Sequence, residues 1–331
     1  MIKDFFKKDK KLDCPMVLNQ KTATFEDIAL HAELRQRLKT TTIEKYLRYA
    51  RFMQKHKIPI DFNKLDYTDF IRHMDYRERV EIATPDALKH EWKVMRMFLK
   101  AYHIDNWSYR PPPGPKPAMR ILPFPETVHK FFNYKYSKDL YETRLYQYLF
   151  FFGFLVGVRP PSEFVELKVN DVYFEDYGRS YIIVTEPKKY KSKRVVVPEK
   201  QILTNINSKS LKNYIDIWRP KVENQYSGDA LFLRPDGKPF TSACLRGKLS
   251  KYGKKIWPHF RPYDMRHWCA VARLIRTKVE SRYFDTYHVR NWLGHDKPGT
   301  TEDYIRYAEQ YYRQYPVDWI SYTLRNRNDM N

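Results

Sequence analysis

The sequence predicts a mostly helical protein with a small antiparallel sheet, divided into an all-α N-terminal bundle and a larger α+β domain. Three observations carry this reading. In residues 20–107 apolar side chains recur at three- and four-residue steps behind capping signals, which is the period of amphipathic helices. The stretch Tyr109–Pro125, "YRPPPGPKPAMRILPFP", is too dense in proline for either helix or sheet. Beyond it, short runs rich in β-branched and aromatic residues alternate with helical patterns. With 331 residues and 42% hydrophobic content, the chain is long enough to bury two cores.

Residues 1–19 form a basic tail. The run "FEDIALHAELRQRL" then reads as a helix. Thr41 and Glu44 have capping-box spacing, and Ile43, Leu47, Ala50 and Met53 follow on one helical face. Asp66 can cap "YTDFIRHMDY", and Thr84 with Pro85 opens a helix carrying Leu88, Trp92, Met95, Leu99 and Tyr102. These helices make residues 20–107 a small bundle, with 108–121 as the linker and 122–331 as the second domain. There an apolar helix runs through "YETRLYQYLFFFGFLVGV", followed by three strands in "VYFED", "YIIVTE" and "KRVVVP". A lysine-loaded turn, "PKKYKSKR", joins the last two strands. Past Ser208 the pattern is mostly helical again, with Thr241 or Ser242 starting a helix in "TSACLRGKLSKYGKKI".

The 61 Lys and Arg against 39 Asp and Glu leave a formal charge of +22, far more than solubility requires. Such a balance points to a polyanionic partner, nucleic acid first. Cys14, Cys244 and Cys269 lie far apart in no C-x-x-C arrangement, so neither a disulfide framework nor a zinc site is expected. His267 and Cys269 are close in sequence, but two ligands without partners read as core residues, and no metal or other cofactor is expected. The most apolar segment, Tyr148–Val158, is too short to span a bilayer. No membrane association is expected.

Four stretches of the second domain carry the candidate chemistry: Gly157–Leu167 "GVRPPSEFVEL", the lysine turn, Arg261–Trp268 "RPYDMRHW", and Trp292–Tyr307 "WLGHDKPGTTEDYIRY". Taken singly, each has a plain structural reading as a surface arginine, a solvated hairpin tip or a packed tyrosine. In their order and spacing they resemble the tyrosine recombinase, or phage-type integrase, family. The resemblance spans both domains, and its most specific part is "LGH" followed by "TT" and a tyrosine nine residues after the histidine.

The resemblance implies a site-specific recombinase that cuts and rejoins double-stranded DNA. Arg159 and Arg266 would be its two catalytic arginines, Lys188 or Lys189 the hairpin lysine, His295 the histidine of "LGH", and Tyr304 the nucleophile, with Glu163 orienting Arg159. These residue types suit the reaction. A phenol can hold a DNA end as a 3′-phosphotyrosine and so retain the bond energy without a nucleotide cofactor. Planar guanidinium forks match the non-bridging phosphate oxygens on which charge develops. A hairpin lysine can give the leaving 5′-oxygen its proton, and His295 can hydrogen-bond the scissile phosphate.

Three features depart from the family pattern. The box usually written H-x-x-R reads Tyr263-Asp264-Met265-Arg266, placing at the histidine position a phenol that can bind phosphate but is a poor base. Arg159 precedes Glu163 by four residues where three is commoner, a step that still keeps both on one helical face. The hairpin is one residue longer than usual, so counting from its two ends selects Lys188 or Lys189.

Of the five tyrosines in Thr300–Tyr315, only Tyr304 has the nucleophile's spacing. Tyr307 is the runner-up, and Tyr311, Tyr312 and Tyr315 fall at packing steps. The family resemblance further implies two domains closing around duplex DNA, four protomers on a junction, a C-terminal tail packed on a neighbouring protomer, and a cytoplasmic, nucleoid-associated location. With only a basic tail ahead of residue 20, simple target sites without accessory arms are expected. If about six to ten phosphates are neutralised, log K should fall against log salt with a slope near −0.9 per contact, readable from binding isotherms at several salt concentrations. Two other classes share these residues. One is a type IB topoisomerase acting as a monomer, and the other is a DNA-binding module with a decayed active site, for which Tyr263 is the best argument.

Overall fold

In a computed structural model, the described residues are 15–114, 120–174, 181–184, 194–196, 211–295 and 298–325. The chain divides into two compact units, Met1–Ala118 and Met119–Asn331. The fold class is the one the sequence predicts, mostly α with a small antiparallel sheet.

Among the described residues the first unit holds four helices: α1 (Phe25–Leu34), α2 (Thr40–Gln54), α3 (Tyr67–Arg79) and α4 (Pro85–Ala101). Helix α1 begins at a capping box in which Thr24 and Asp27 satisfy each other's exposed amides. Asp66 caps α3 and Thr84 caps α4 ahead of Pro85, as their sequence signals require. Helix α2 differs. It starts at Thr40 behind Lys39 and has no side-chain cap, because the backbone is already helical at Thr41. Helix α4 packs on α1, α2 and α3, around a core that includes Ile28, Leu47, Phe70 and Phe98.

A polar cluster interrupts this core. Glu91 and His73 are wholly buried. Arg77 reaches Glu91 Oε1 through Nη2 at 2.8 Å and through Nε at 3.0 Å, while His73 Nε2 lies 3.3 Å from Glu91 Oε2. Burial pushes the Glu91 carboxyl up, but the bonds from His73 and Arg77 outweigh it and hold the group below its ordinary value. Removing one member of a buried, hydrogen-bonded charge set strands the others, so Glu91→Ala should cost about 3–5 kcal/mol of local stability. Amide hydrogen exchange across α3 and α4 reads this directly. Because the folded carboxyl binds its proton less readily than the unfolded one, Glu91's contribution is present above about pH 4.3 and is lost as pH falls through the folded value.

The second unit is built on α6 (Leu140–Val156), buried on nearly every side from Tyr141 onward. Such an all-round apolar helix belongs at the centre of a domain. It is flanked by α5 (Pro125–Asn133) and by α9 (Asp264–Ser281). Short α7 (Ser162–Glu166) leads to strands β1 (Val172–Tyr173), β2 (Tyr181–Val184) and β3 (Arg194–Val196), paired antiparallel in the order β1-β2-β3. Val172 opposes Ile182, and Ile183 opposes Val195.

Past Ser208 the described residues are mostly helical, as the pattern predicts, apart from one irregular stretch. A π-helical turn at Tyr214–Trp218 and a 3-10 turn at Arg219–Lys221 are followed by irregular chain to Thr241, with two isolated β-bridges. Pro220, Gly228, Pro235, Gly237 and Pro239 break any longer helix there. Thr241 caps α8 (Ser242–Lys254). Helices α10 (Thr286–Leu293), α11 (Pro298–Gln314) and α12 (Trp319–Arg325) complete the unit, each packed on α9. In this single chain the tail helix α12 folds back onto its own unit, with Trp319 buried against Trp268 and Phe124.

Candidate active site

The site forms where the turns after α6 and α10 meet the start of α9. Two of the helices end on left-handed glycines, Gly157 after α6 (φ 76°) and Gly294 after α10 (φ 62°). A Cβ on Gly157 would stand 2.8 Å from Cys269 Sγ and 2.9 Å from Leu293 Cδ2, so the turn needs glycine for space as well as for its dihedral angle.

The turn carbonyls hold the two predicted arginines. Arg266, wholly buried in the first turn of α9, donates from Nη1 to the Gly157 carbonyl at 2.6 Å and from Nη2 to the Leu293 carbonyl at 2.5 Å. Arg159, just past Gly157, donates from Nη2 to the Gly294 carbonyl at 3.4 Å. Its Nη1 lies 2.5 Å from Glu163 Oε1, and its backbone N–H donates to Glu163 Oε2 at 2.8 Å. The four-residue step from Arg159 to Glu163 thus closes an ion pair whose carboxylate is almost wholly buried. Burial lowers the Arg266 pKa, and the Arg159 charge adds to it, while Glu163, Tyr263 and Tyr304 pull it back up. A guanidinium nevertheless stays charged at any working pH. The two bonds account for two of its five N–H donors.

His295 follows Gly294 directly. Its Nδ1 lies 2.8 Å from Thr301 Oγ1, and its ring lies parallel to that of Tyr304, with centroids 6.2 Å apart and planes 9° apart. Tyr304 sits on α11, 9% exposed. Burial, with Tyr263 and Tyr307 nearby, pushes its phenol pKa up, while the charges of Arg266 and Arg120 draw it back.

The structure therefore gathers Arg159, Glu163, Arg266, His295 and Tyr304 in one place. Tyr263 stands at the start of α9, 38% exposed. It does not hold the Tyr304 hydroxyl, because His267 does: Nδ1 of His267 and Oη of Tyr304 share a 2.6 Å hydrogen bond. The two α9 residues are four apart, one turn along the same helix face, and their rings are 5.0 Å apart. Lys188 and Lys189 lie outside the described residues.

Sequence reasoning missed two contributors. In sequence His267 reads with Cys269 as a core residue, although its i+4 spacing from Tyr263 is a readable signal. Arg120, at the exit of the proline-rich stretch, pairs through Nη1 with the buried Asp264 at 2.7 Å. It carries positive charge toward both Tyr304 and His267, and only the fold brings it to α9. The exit segment is itself fastened by Tyr311, whose hydroxyl accepts from Leu122 N–H at 2.6 Å and lies 3.3 Å from the Arg120 carbonyl oxygen. Tyr315 donates to Glu126 Oε1, so both tyrosines serve packing, as their spacing suggests.

Among the described residues, no group of three or more His, Cys, Asp or Glu is placed to hold a metal ion, and no helix is long and apolar enough to cross a membrane.

Comparison with known proteins finds relatives of this fold. The chain is similar to the XerH site-specific recombinase bound to palindromic difH substrate, with a TM-score of 0.61 and 14% identity over 93% of this chain and 92% of that one. It is also similar to the Tn1549 transposon integrase in complex with transposon right end DNA, with a TM-score of 0.61 and 15% identity over 89% of this chain and 100% of that one. For a lambda integrase tetramer bound to a Holliday junction, the TM-score is 0.58 and the identity 12%, over 93% and 78% of the two chains. At these identities the likeness is one of fold. No curated protein matches in sequence. The model of the phage integrase family, however, matches residues 133–311, more than half of the chain and every described site residue except Arg120. The chain belongs to the phage integrase family.

Proposed function

We propose that this protein is a site-specific DNA recombinase that cleaves and rejoins duplex DNA through a 3′-phosphotyrosine link on Tyr304. The observation that carries the reading is the convergence of a buried tyrosine hydroxyl with two carbonyl-anchored arginines and two histidines at the meeting of α9, α10 and α11. Tyr304 attacks the scissile phosphorus and expels the 5′-oxygen. Arg159, oriented by Glu163, and Arg266 neutralise the charge that grows on the non-bridging oxygens. Preorganised donors of this kind act strongly where water is excluded. His295, steadied by Thr301, hydrogen-bonds the phosphate, and Lys188 or Lys189 protonates the leaving oxygen.

The net charge of +22 suits a DNA partner. Three of the fold's relatives are seen on DNA, one of them as a tetramer on a junction, and the same assembly of four protomers is proposed here. The test is to incubate the protein with DNA spanning the flanks of its own gene, denature in SDS, and sequence the peptide attached to any trapped DNA. An adduct on the Tyr304 peptide supports the reading. Tight, salt-sensitive binding with no adduct on any fragment supports a binding module instead.

A further inference from the structure

We infer that His267 is the residue that takes the proton from the Tyr304 hydroxyl, in place of the histidine that the Tyr263 position lacks. The inference rests on Tyr304 being the nucleophile. Its basis is geometric: Nδ1 of His267 is 2.6 Å from Tyr304 Oη, already within proton-transfer distance, and the residue before it, Arg266, anchors the same helical turn to two carbonyls. His267 lies one turn beyond Tyr263 on the same face of α9, so an imidazole lost at position 263 is restored four residues later with its ring directed at the phenol. Tyr263, more exposed and packed edge-on against the His267 ring, shields the imidazole and leaves the proton chemistry to it.

The electrostatics fit a base. His267 faces Arg120, Arg266 and His295 as well as the two phenols of Tyr263 and Tyr304. Burial, then the charges of Arg120, Arg266 and His295, push its pKa down to about 4. Near neutrality the ring is therefore uncharged. In the tautomer protonated on Nε2, Nδ1 accepts the phenol O–H. As the Oη–P bond forms and the P–O5′ bond breaks, the Oη proton passes to Nδ1, while the leaving oxygen takes a proton from the hairpin lysine. Religation runs the transfers backward, and the imidazolium returns its proton to the departing phenol. A ring with so low a pKa is a modest base but releases the proton readily, which suits a reaction that must run in both directions.

Two measurements test this. In the DNA-free protein, ¹⁵N spectra of His267 should report a neutral ring with Nδ1 unprotonated at pH 7, and its shift should move in Tyr304→Phe. A charged ring or an Nδ1–H tautomer overturns the proposal. The second uses a nicked duplex bearing the adduct-forming sequence, and the same duplex with sulfur as the bridging 5′ atom, a leaving group that needs no proton.

His267→Gln and His267→Ala should form the Tyr304 adduct about 10²- to 10⁴-fold more slowly. The sulfur substrate should not restore them, and added imidazole should partly restore His267→Ala. The wild-type rate should hold from neutrality down to about pH 5, whereas the residual rate of His267→Gln should climb with pH as the phenol ionises. A near-wild-type rate in His267→Gln, or full rescue of it by the sulfur substrate, removes His267 from the nucleophile's side. An adduct that persists in Tyr304→Phe instead refutes the nucleophile assignment on which the inference stands.

Discussion

A Tyr304→Phe chain is expected to form no covalent DNA adduct at all, while binding DNA with unchanged affinity and unfolding close to the wild-type temperature. The ring stays, so its packing against His295 and the core is preserved. What is lost is one hydroxyl and its bond to His267, worth about 1 kcal/mol net for a neutral pair and somewhat more if the imidazole finds no other partner. No other oxygen nucleophile replaces the phenol, so the loss of adduct is complete. Tyr307→Phe is the necessary comparison. Tyr307 lies one turn further along α11, with its ring 6.2 Å from that of Tyr304 and packed on the core, and its removal should change adduct yield only a few-fold. SDS gels of both variants with the same DNA decide the matter, since an adduct kept in Tyr304→Phe and lost in Tyr307→Phe moves the nucleophile by one turn.

The second large effect belongs to Arg266. Its guanidinium bolts the end of α6 to the end of α10 through Gly157 and Leu293, and the proposed chemistry also needs its charge at the phosphate. The two roles separate by substitution. Arg266→Lys keeps a cation but cannot reproduce a planar fork. It should fold and still bind DNA, with single-turnover adduct formation slowed about 10²- to 10³-fold, or roughly 3–4 kcal/mol of transition-state stabilisation. Arg266→Ala should in addition unfold at lower temperature, because two buried carbonyls lose their donor at about 1–3 kcal/mol each. A wild-type rate in Arg266→Lys would reduce Arg266 to a structural bolt, a role its complete burial would then fully describe.

Much of the site was legible in the chain. Arg159, Glu163, Arg266, His295 and Tyr304 were readable as candidates through the order and spacing of the stretches that resemble the family, and Gly157 and Gly294, which end the helices before Arg159 and His295, are local punctuation. Such signals are local, and local geometry follows from nearest neighbours. The helix caps at Asp66, Thr84 and Thr241 were readable for the same reason. Thr41 misleads because a capping pair says where an N-terminus can form, while the helix is capped two residues earlier, at Lys39.

What the sequence by itself determined is the helical period of the first unit, the proline break, the three short strands, the basic charge and the residue types that the proposed phosphoryl transfer on a tyrosine would use. Tertiary structure alone decided which histidine meets the phenol. His267 and Tyr304 are 37 residues apart on different helices, and whether an imidazole on α9 touches α11 depends on how those helices pack, which no local pattern encodes. The same holds for Arg120, carried to Asp264 across most of the unit, and for the carbonyls of Gly157 and Leu293 that anchor Arg266. A hydrogen bond is short and directional, so its partners are settled only when the core between them has been packed.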